Sequence, residues 1–267
     1  MRFALLMLAL PVLLATEPAR ALEPFKPYDR FSDKPIDPAR WQPQERIRVI
    51  KGGAMHLMQR NWSLPSSDVG VFLWNWQTDI PLSKTHAITA MKARITVTEL
   101  ETVACPSNPA VGDARARIFG TFFNTGTPTP GSLLGDAIAQ VRLFRASNSP
   151  DPAGVLLVQG LLSICTNADC SNATTVGVAE LGTVTVGKAA TVGMQWDQPA
   201  KTFYFSREGA ATQAVTYTQS DAMPPGIEVR NLSTRMNVPN CLSAPPVEGV
   251  IDAKFDNVSV NASAAPR

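Results

Sequence analysis

From Ile47 onward, apolar residues recur at every second position, in short runs and not in helical stripes. Ala93, Ile95 and Val97 alternate with Lys92, Arg94, Thr96 and Thr98, and Ala114, Ala116 and Ile118 alternate with Arg115, Arg117 and Phe119. Successive side chains of a strand point to opposite faces, so this period marks strands with one face buried. Runs of the same kind cover 137–145, 155–165, 175–186, 190–196, 202–205, 214–218, 227–232 and 250–260. Between them lie clusters rich in Gly, Pro, Asn and Asp, such as 124–131 and 147–152, which supply the backbone conformations that turns need. The stretch 131–139 holds a turn of helix at most. The pattern predicts an all-β fold, a sandwich or a barrel, as a single domain over 46–267 without internal repeats.

Aromatic positions refine this expectation. Trp196 shares its parity with Val192 and Met194 and is expected to pack inside. Trp74 and Trp76 share one face, as either a core ridge or a stacking platform, whereas the adjacent Phe122 and Phe123 are expected on opposite faces.

The order of several segments resembles a known superfamily. Asp33 to Trp41 (Asp-Lys-Pro-Ile-Asp-Pro-Ala-Arg-Trp) is followed by Gly52-Gly53-Ala54-Met55-His56-Leu57. Val192-Gly193-Met194-Gln195-Trp196-Asp197, a turn at 198–201 and Thr202-Phe203-Tyr204-Phe205 come next, and Phe255-Asp256-Asn257-Val258 closes the chain. Together they resemble the concanavalin A-like lectin/glucanase (laminin G-like) jelly rolls. The resemblance implies an all-β, antiparallel two-sheet β-sandwich (jelly roll), its front sheet curved into a concave surface that often meets glycan. It also implies a structural calcium as an option, with Asp252 and Asp256 contributing oxygens beside Asp33 or Asp37; no other cofactor is expected.

The first residues are set apart from the domain. Arg2, the apolar run Phe3 to Ala15 and Ala19-Arg20-Ala21 have the layout of a secretory signal peptide over 1–21, which places the protein in a secreted or periplasmic compartment. The apolar run is too short to span a bilayer, which takes about 20 residues. Residues 22–45, rich in Pro and charge, read as an extended lead-in that docks on the sandwich through Phe25, Tyr28, Phe31 and Trp41. The formal net charge of the whole chain is +2, and loss of the leader removes two arginines and one glutamate, leaving it nearly neutral. Such balance argues against nucleic acid as a partner, because displacing phosphate counterions takes a strong basic excess. The four cysteines fit two disulfides of an exported chain, with three pairings possible. Cys165 with Cys170, flanking a short turn, is the favoured pair, and Cys105 with Cys241 follows by elimination. Neither histidine stands near a cysteine as zinc spacing requires.

Chemistry is harder to find. The glucanase form Glu-x-Asp-x-x-Glu is absent, and Glu99 with Glu101 sit at a strand end. Alginate-lyase-like members need a His, a Tyr and an Arg-rich strand in one groove, but His56 and His86 lack the neighbouring motifs of those enzymes. There is no Gly-x-Ser-x-Gly elbow, zinc-protease motif or phosphate-cradling loop, so no catalytic residue is assigned.

Binding is the positive expectation. If the alanine-rich positions face the core, then Lys92, Arg94, Arg115, Arg117 and Phe119 face outward, joined on adjoining strands by Gln140, Arg142, Thr202 and Tyr204. Planar guanidinium groups grip carboxylate or sulfate in a fork, and aromatic rings stack on the apolar faces of sugars. The expected ligand residues are therefore Arg94, Arg115, Arg117, Arg142 and Tyr204, and the expected partner is a polysaccharide or other glycan, acidic for preference. An ordinary solvated sheet face would also carry such side chains. The alternatives are a polysaccharide-degrading enzyme of the same superfamily and a structural or adhesive exported protein.

Overall fold

The computed structural model describes residues 44–65, 67–72, 77–83, 85–242 and 246–264. The leader, the lead-in up to 43 and the Trp74–Trp76 pair lie outside these residues. One sheet has the order β1-β2-β14-β5-β10-β11-β12, from β1 (Gln44–Lys51), β2 (Ala54–Trp62), β14 (Glu248–Val260), β5 (Ala90–Glu101), β10 (Ala189–Asp197), β11 (Thr202–Arg207) and β12 (Gln213–Thr216). The other has β13 (Arg230–Pro239), β6 (Asp113–Asn124), β7 (Asp136–Ala146), β8 (Val155–Cys165) and β9 (Ala173–Thr185) in that order. At its edge, β3 (Val71–Phe72) and β4 (Gln77–Pro81) both pair with β13. All pairings are antiparallel, and the two sheets form a sandwich, one of the two forms that the alternating pattern predicts. The helical content among the described residues is a single 3-10 turn, Thr85–Ala87, which carries His86. Residues 131–135 are turns, and the strand resumes at Asp136.

Parity explains the core. Ala93, Ile95 and Val97 of β5 are buried, as are Ala114, Ala116 and Ile118 of β6 and Ile251, Ala253 and Phe255 of β14. Small residues let the sheets approach closely: a Cβ at Gly160 of β8 would lie 2.2 Å from Cγ of Phe205 on β11. One end of the core is aromatic. Phe122 meets Phe203 edge-on at 4.9 Å, and Trp196 stacks on Phe123 and Phe203 at 5.7 and 6.1 Å. Trp196, partly buried against the core, also donates its indole N–H to the Tyr217 hydroxyl, so the ring keeps its polar atom satisfied.

Phe122 and Phe123 depart from strict alternation. The ladder between β6 and β7 shifts register between Thr121 and Phe123, and this bulge turns both rings inward, to 5% and 1% exposure. Both disulfides form, Cys105–Cys241 and Cys165–Cys170.

Candidate functional site

The outer face of the second sheet is built from residues that stand directly opposite one another across successive strands. One row runs Asp79, Ser233, Arg117, Arg142, Gln159, Glu180 over β4, β13, β6, β7, β8 and β9. A second pairs Arg235 with Arg115 and then Phe144. A third runs Asn231, Phe119, Gln140, Leu161. Two like-charged pairs, Arg117 with Arg142 and Arg115 with Arg235, therefore sit face to face, an arrangement that weakens a sheet.

These arginines are not solvated surface. Arg117 is 3% exposed and Arg115 is 8% exposed. Neighbouring groups hold them in place. Arg117 donates from Nε to Ser233 Oγ and from Nη1 to Gln140 Oε1, both at 3.0 Å, and lies 4.5 Å over the Phe119 ring. Arg142 donates to Gln159 Oε1 at 2.9 Å and lies 4.2 Å over Phe144, while Gln159 donates onward to Glu180. Arg115 forks onto Asp113, which also accepts from Asn237.

Burial and mutual repulsion act in the same direction on these groups. Desolvation first, and the neighbouring guanidiniums second, lower Arg235 to about 9. Arg142 falls to about 10 for the same reasons, and Arg117 is pushed well below the ordinary arginine range. An anion placed against them would stabilise the charged forms.

The rows open into a cleft of about 250 Å³ lined by Arg117, Arg235, Phe119, Asn231, Asp79 and Asp169. Its end wall comes from three loops bonded to one another: Leu133 N–H to Ala168 O, Gly135 N–H to Cys165 O and Gly131 N–H to Gly226 O. Asp136, fully buried, fastens the wall to the sheet by accepting from the N–H groups of Gly226 and Ile227 and from Asn124 Nδ2. The Cys165–Cys170 disulfide closes the loop that brings Asp169 and Cys170 to the rim. Arg48 of β1 donates to Asp79 O at the other edge.

Sequence parity brings Arg115, Arg117 and Arg142 together on this sheet face, with Phe119 and Gln140; Arg117 and Phe119 line the cleft, and Arg115 and Arg142 stand beside it on the same ladder rows. Arg94 and Tyr204, grouped with them on sequence, lie on the outer face of the first sheet. Periodicity assigns a residue to an outward face but not to one sheet or the other. Arg94 pairs with Asp256 at 3.4 Å, and Tyr204 borders an open groove with Lys92, Gln195 and Ser206. Arg235 and Ser233 were missed because the strand read over 227–232 in fact begins at Arg230 and continues to Pro239. The signal was present, since Arg235, Ser233 and Asn231 alternate with buried Leu232, Thr234 and Met236.

The sequence matches no protein-family model and no curated protein. Among solved structures, the chain is similar to the carbohydrate-binding module CBM66 from Bacillus subtilis, with 8% identity over 81% of this chain and 93% of that one and a TM-score of 0.33. It is similar also to alginate lyase A1-II′ of polysaccharide lyase family 7, with 16% identity, coverage of 84% and 85% and a TM-score of 0.36. For alginate lyase Aly36B the values are 12%, 80% and 85%, and 0.37. At these TM-scores the likeness assigns neither a family nor a role to any residue.

Of the remaining groups, Asp68 lies close to Cys105 and Cys241, but both sulfurs are in a disulfide and offer no thiolate to a metal. Asp252 and Asp256 stand on the outer face of β14, while Asp33 and Asp37 lie outside the described residues. His56 Nε2 donates to Lys51 O on the first sheet, away from the arginine cleft.

Proposed function

We propose that the arginine cleft of the second sheet binds an acidic polysaccharide and that the chain acts as an exported binding protein without bond-breaking chemistry. The observation that carries this reading is the pair of like-charge ladders, Arg117–Arg142 and Arg115–Arg235, in which Arg117 and Arg115 are buried and Arg142 and Arg235 half-buried. Repulsion and desolvation both oppose that arrangement, and a bound anion relieves both. Pre-positioned guanidinium forks suit carboxylates, and Phe119 at the cleft floor offers a ring to the apolar side of a sugar. The row across six strands offers a linear path for a polymer.

The absence of chemistry in this reading follows from the lining. Among the described residues, the cleft contains no histidine or tyrosine to exchange a proton. Its carboxylates are Asp79, which accepts from Asn231 Nδ2, and Asp169, whose hydrogen bonds from Ser171 hold it below the usual carboxylate range and make it a poor acid. Two disulfides accord with an oxidising compartment, and among the described residues no helix is long and apolar enough to cross a membrane.

Titration calorimetry and affinity electrophoresis with polygalacturonate, alginate and a neutral glucan test the proposal. Binding of the uronates but not the glucan, weakened by salt, is expected. Equal affinity for the neutral polymer, or none for either uronate, would overturn it. Release of unsaturated sugars during incubation would replace it with the degradative reading.

A further inference from the structure

The opposite face of the sandwich carries a second basic region of different construction. Two glycine turns meet at one end of the first sheet: Gly52-Gly53, with φ of 60° and 77°, and Gly187, with φ of 83°. Each sets a lysine beside it, Lys51 and Lys188, and between them lie Lys254, Arg94, His56 and Asp256 around an open depression of about 650 Å³. The ladder places Val49, His56, Lys254 and Thr96 in one row across β1, β2, β14 and β5. Val49 and Ile47 therefore share the outer face with the cations, at 44% and 45% exposure. Ile50, at the tip of the same hairpin, is 74% exposed but pairs with Met55 in the inward row and so points away from the cations.

This composition points to a particular partner. In the arginine cleft, guanidiniums are buried and fixed by hydrogen bonds, as recognition of a defined anion requires. Here Lys51 and Lys188 are exposed, and lysines act as flexible point charges with no forked geometry to select a ligand. The described lining of the depression contains no Phe, Tyr or Trp ring for a sugar to stack on. A second copy docked on the same patch would set lysine against lysine. Exposed aliphatic side chains beside mobile cations match a phospholipid surface, with charges at the phosphates and short apolar groups in the interfacial layer.

We propose that this hairpin end of the first sheet docks on an anionic phospholipid surface, with Lys51, Lys188 and Lys254 at the headgroup phosphates and Val49 and Ile47 entering the interface. Because the arginine cleft lies on the outer face of the other sheet, docking leaves it open. The proposal does not depend on what that cleft binds.

Cosedimentation of the full chain with vesicles tests it, using phosphatidylcholine alone and phosphatidylcholine mixed with phosphatidylglycerol. Binding is expected to the mixed vesicles only, and to fall as salt is raised. Each of Lys51→Gln, Lys188→Gln and Lys254→Gln should lower the partition coefficient about fivefold, and the triple variant roughly 100-fold. Val49→Ser should lower it about fivefold with the charges intact. Unchanged near-ultraviolet circular dichroism establishes that each variant is folded. Equal binding to neutral vesicles, or an unaffected triple variant, would overturn the proposal. So would an unaffected Val49→Ser variant, or charge-dependent binding to a soluble uronate polymer at this patch without vesicle binding. Loss of vesicle binding on Arg235→Gln alone would move the lipid site to the other face and also overturn it.

Discussion

Arg117 and Arg142 stand directly opposite each other on β6 and β7, two guanidiniums where a stable sheet would set opposite charges or an apolar pair. Arg142→Gln removes the repulsion while leaving an amide that can donate to Gln159. The expected result is a protein more stable by about 0.5–1 kcal/mol, with the melting temperature raised by about 1–4 °C. Uronate affinity should fall at least about tenfold, because a hydrogen bond to a charged group is lost. Thermal denaturation and calorimetry on one preparation check both. A variant that loses stability and keeps affinity would make the ladder structural and not functional.

Alkaline pH should separate binding from stability in the same way. Arg235 and Arg142 have folded-state values of about 9 and about 10, below the ordinary arginine range. As pH rises through those values the native chain sheds protons that the unfolded chain still holds, so the contribution of these groups to stability rises with pH. Anion binding, which needs the charged forms, should decline across the same window. The Arg142→Gln, Arg235→Gln double variant should lose the alkaline decline in whatever affinity remains. Affinity in the wild type that stays flat through that range would contradict the assignment.

The wall of the cleft depends on Asp136, whose carboxylate accepts from three donors while fully buried. Asp136→Ala leaves the Gly226 and Ile227 N–H groups without that acceptor and should destabilise the protein by about 3–5 kcal/mol. Hydrogen exchange should rise first at 225–229, the segment that contributes Ile227 and Val229 to the cleft. Uniform exchange across the chain would mean that Asp136 supports the whole sandwich and not this wall.

Much of this was legible in the chain. Period two found the strands from β5 onward, though not the separate bounds of β1 to β4, and the inward set Ala93 to Val97 and Ala114 to Ile118, because core packing leaves a strong signature on alternate residues. It also put Arg115, Arg117 and Arg142 on an outward face. Which of two outward faces a residue joins depends on strand order, a long-range property, so Arg94 and Tyr204 were grouped with arginines on the far sheet. Phe122 and Phe123 were misread because a bulge at that point leaves no local mark. Arg235 was lost to a strand boundary: the polar run 233–235 hides a buried Thr234, and a buried threonine is not an apolar signal.

The two disulfides should have different consequences. Cys105–Cys241 joins residues separated by 136 positions, so its removal frees a large loop in the unfolded chain and should cost about 4–5 kcal/mol on the chain-entropy account. It lies beyond the end of β13 opposite the loop wall of the cleft. The Cys105→Ser, Cys241→Ser variant should therefore melt roughly 10–15 °C lower, yet bind uronate within about twofold of wild type well below its midpoint. Cys165–Cys170 spans a separation of 5, and by the same account its loss should cost about 2 kcal/mol. Because Asp169 and Cys170 line the cleft, Cys165→Ser, Cys170→Ser should weaken binding by more than the long-range variant does, despite its smaller thermal shift. Melting curves and calorimetry on the two variants give a crossed pattern if the ligand sits against the arginine face under that rim. If affinity instead tracks stability in both, the short disulfide has no part in the site and the ligand lies elsewhere.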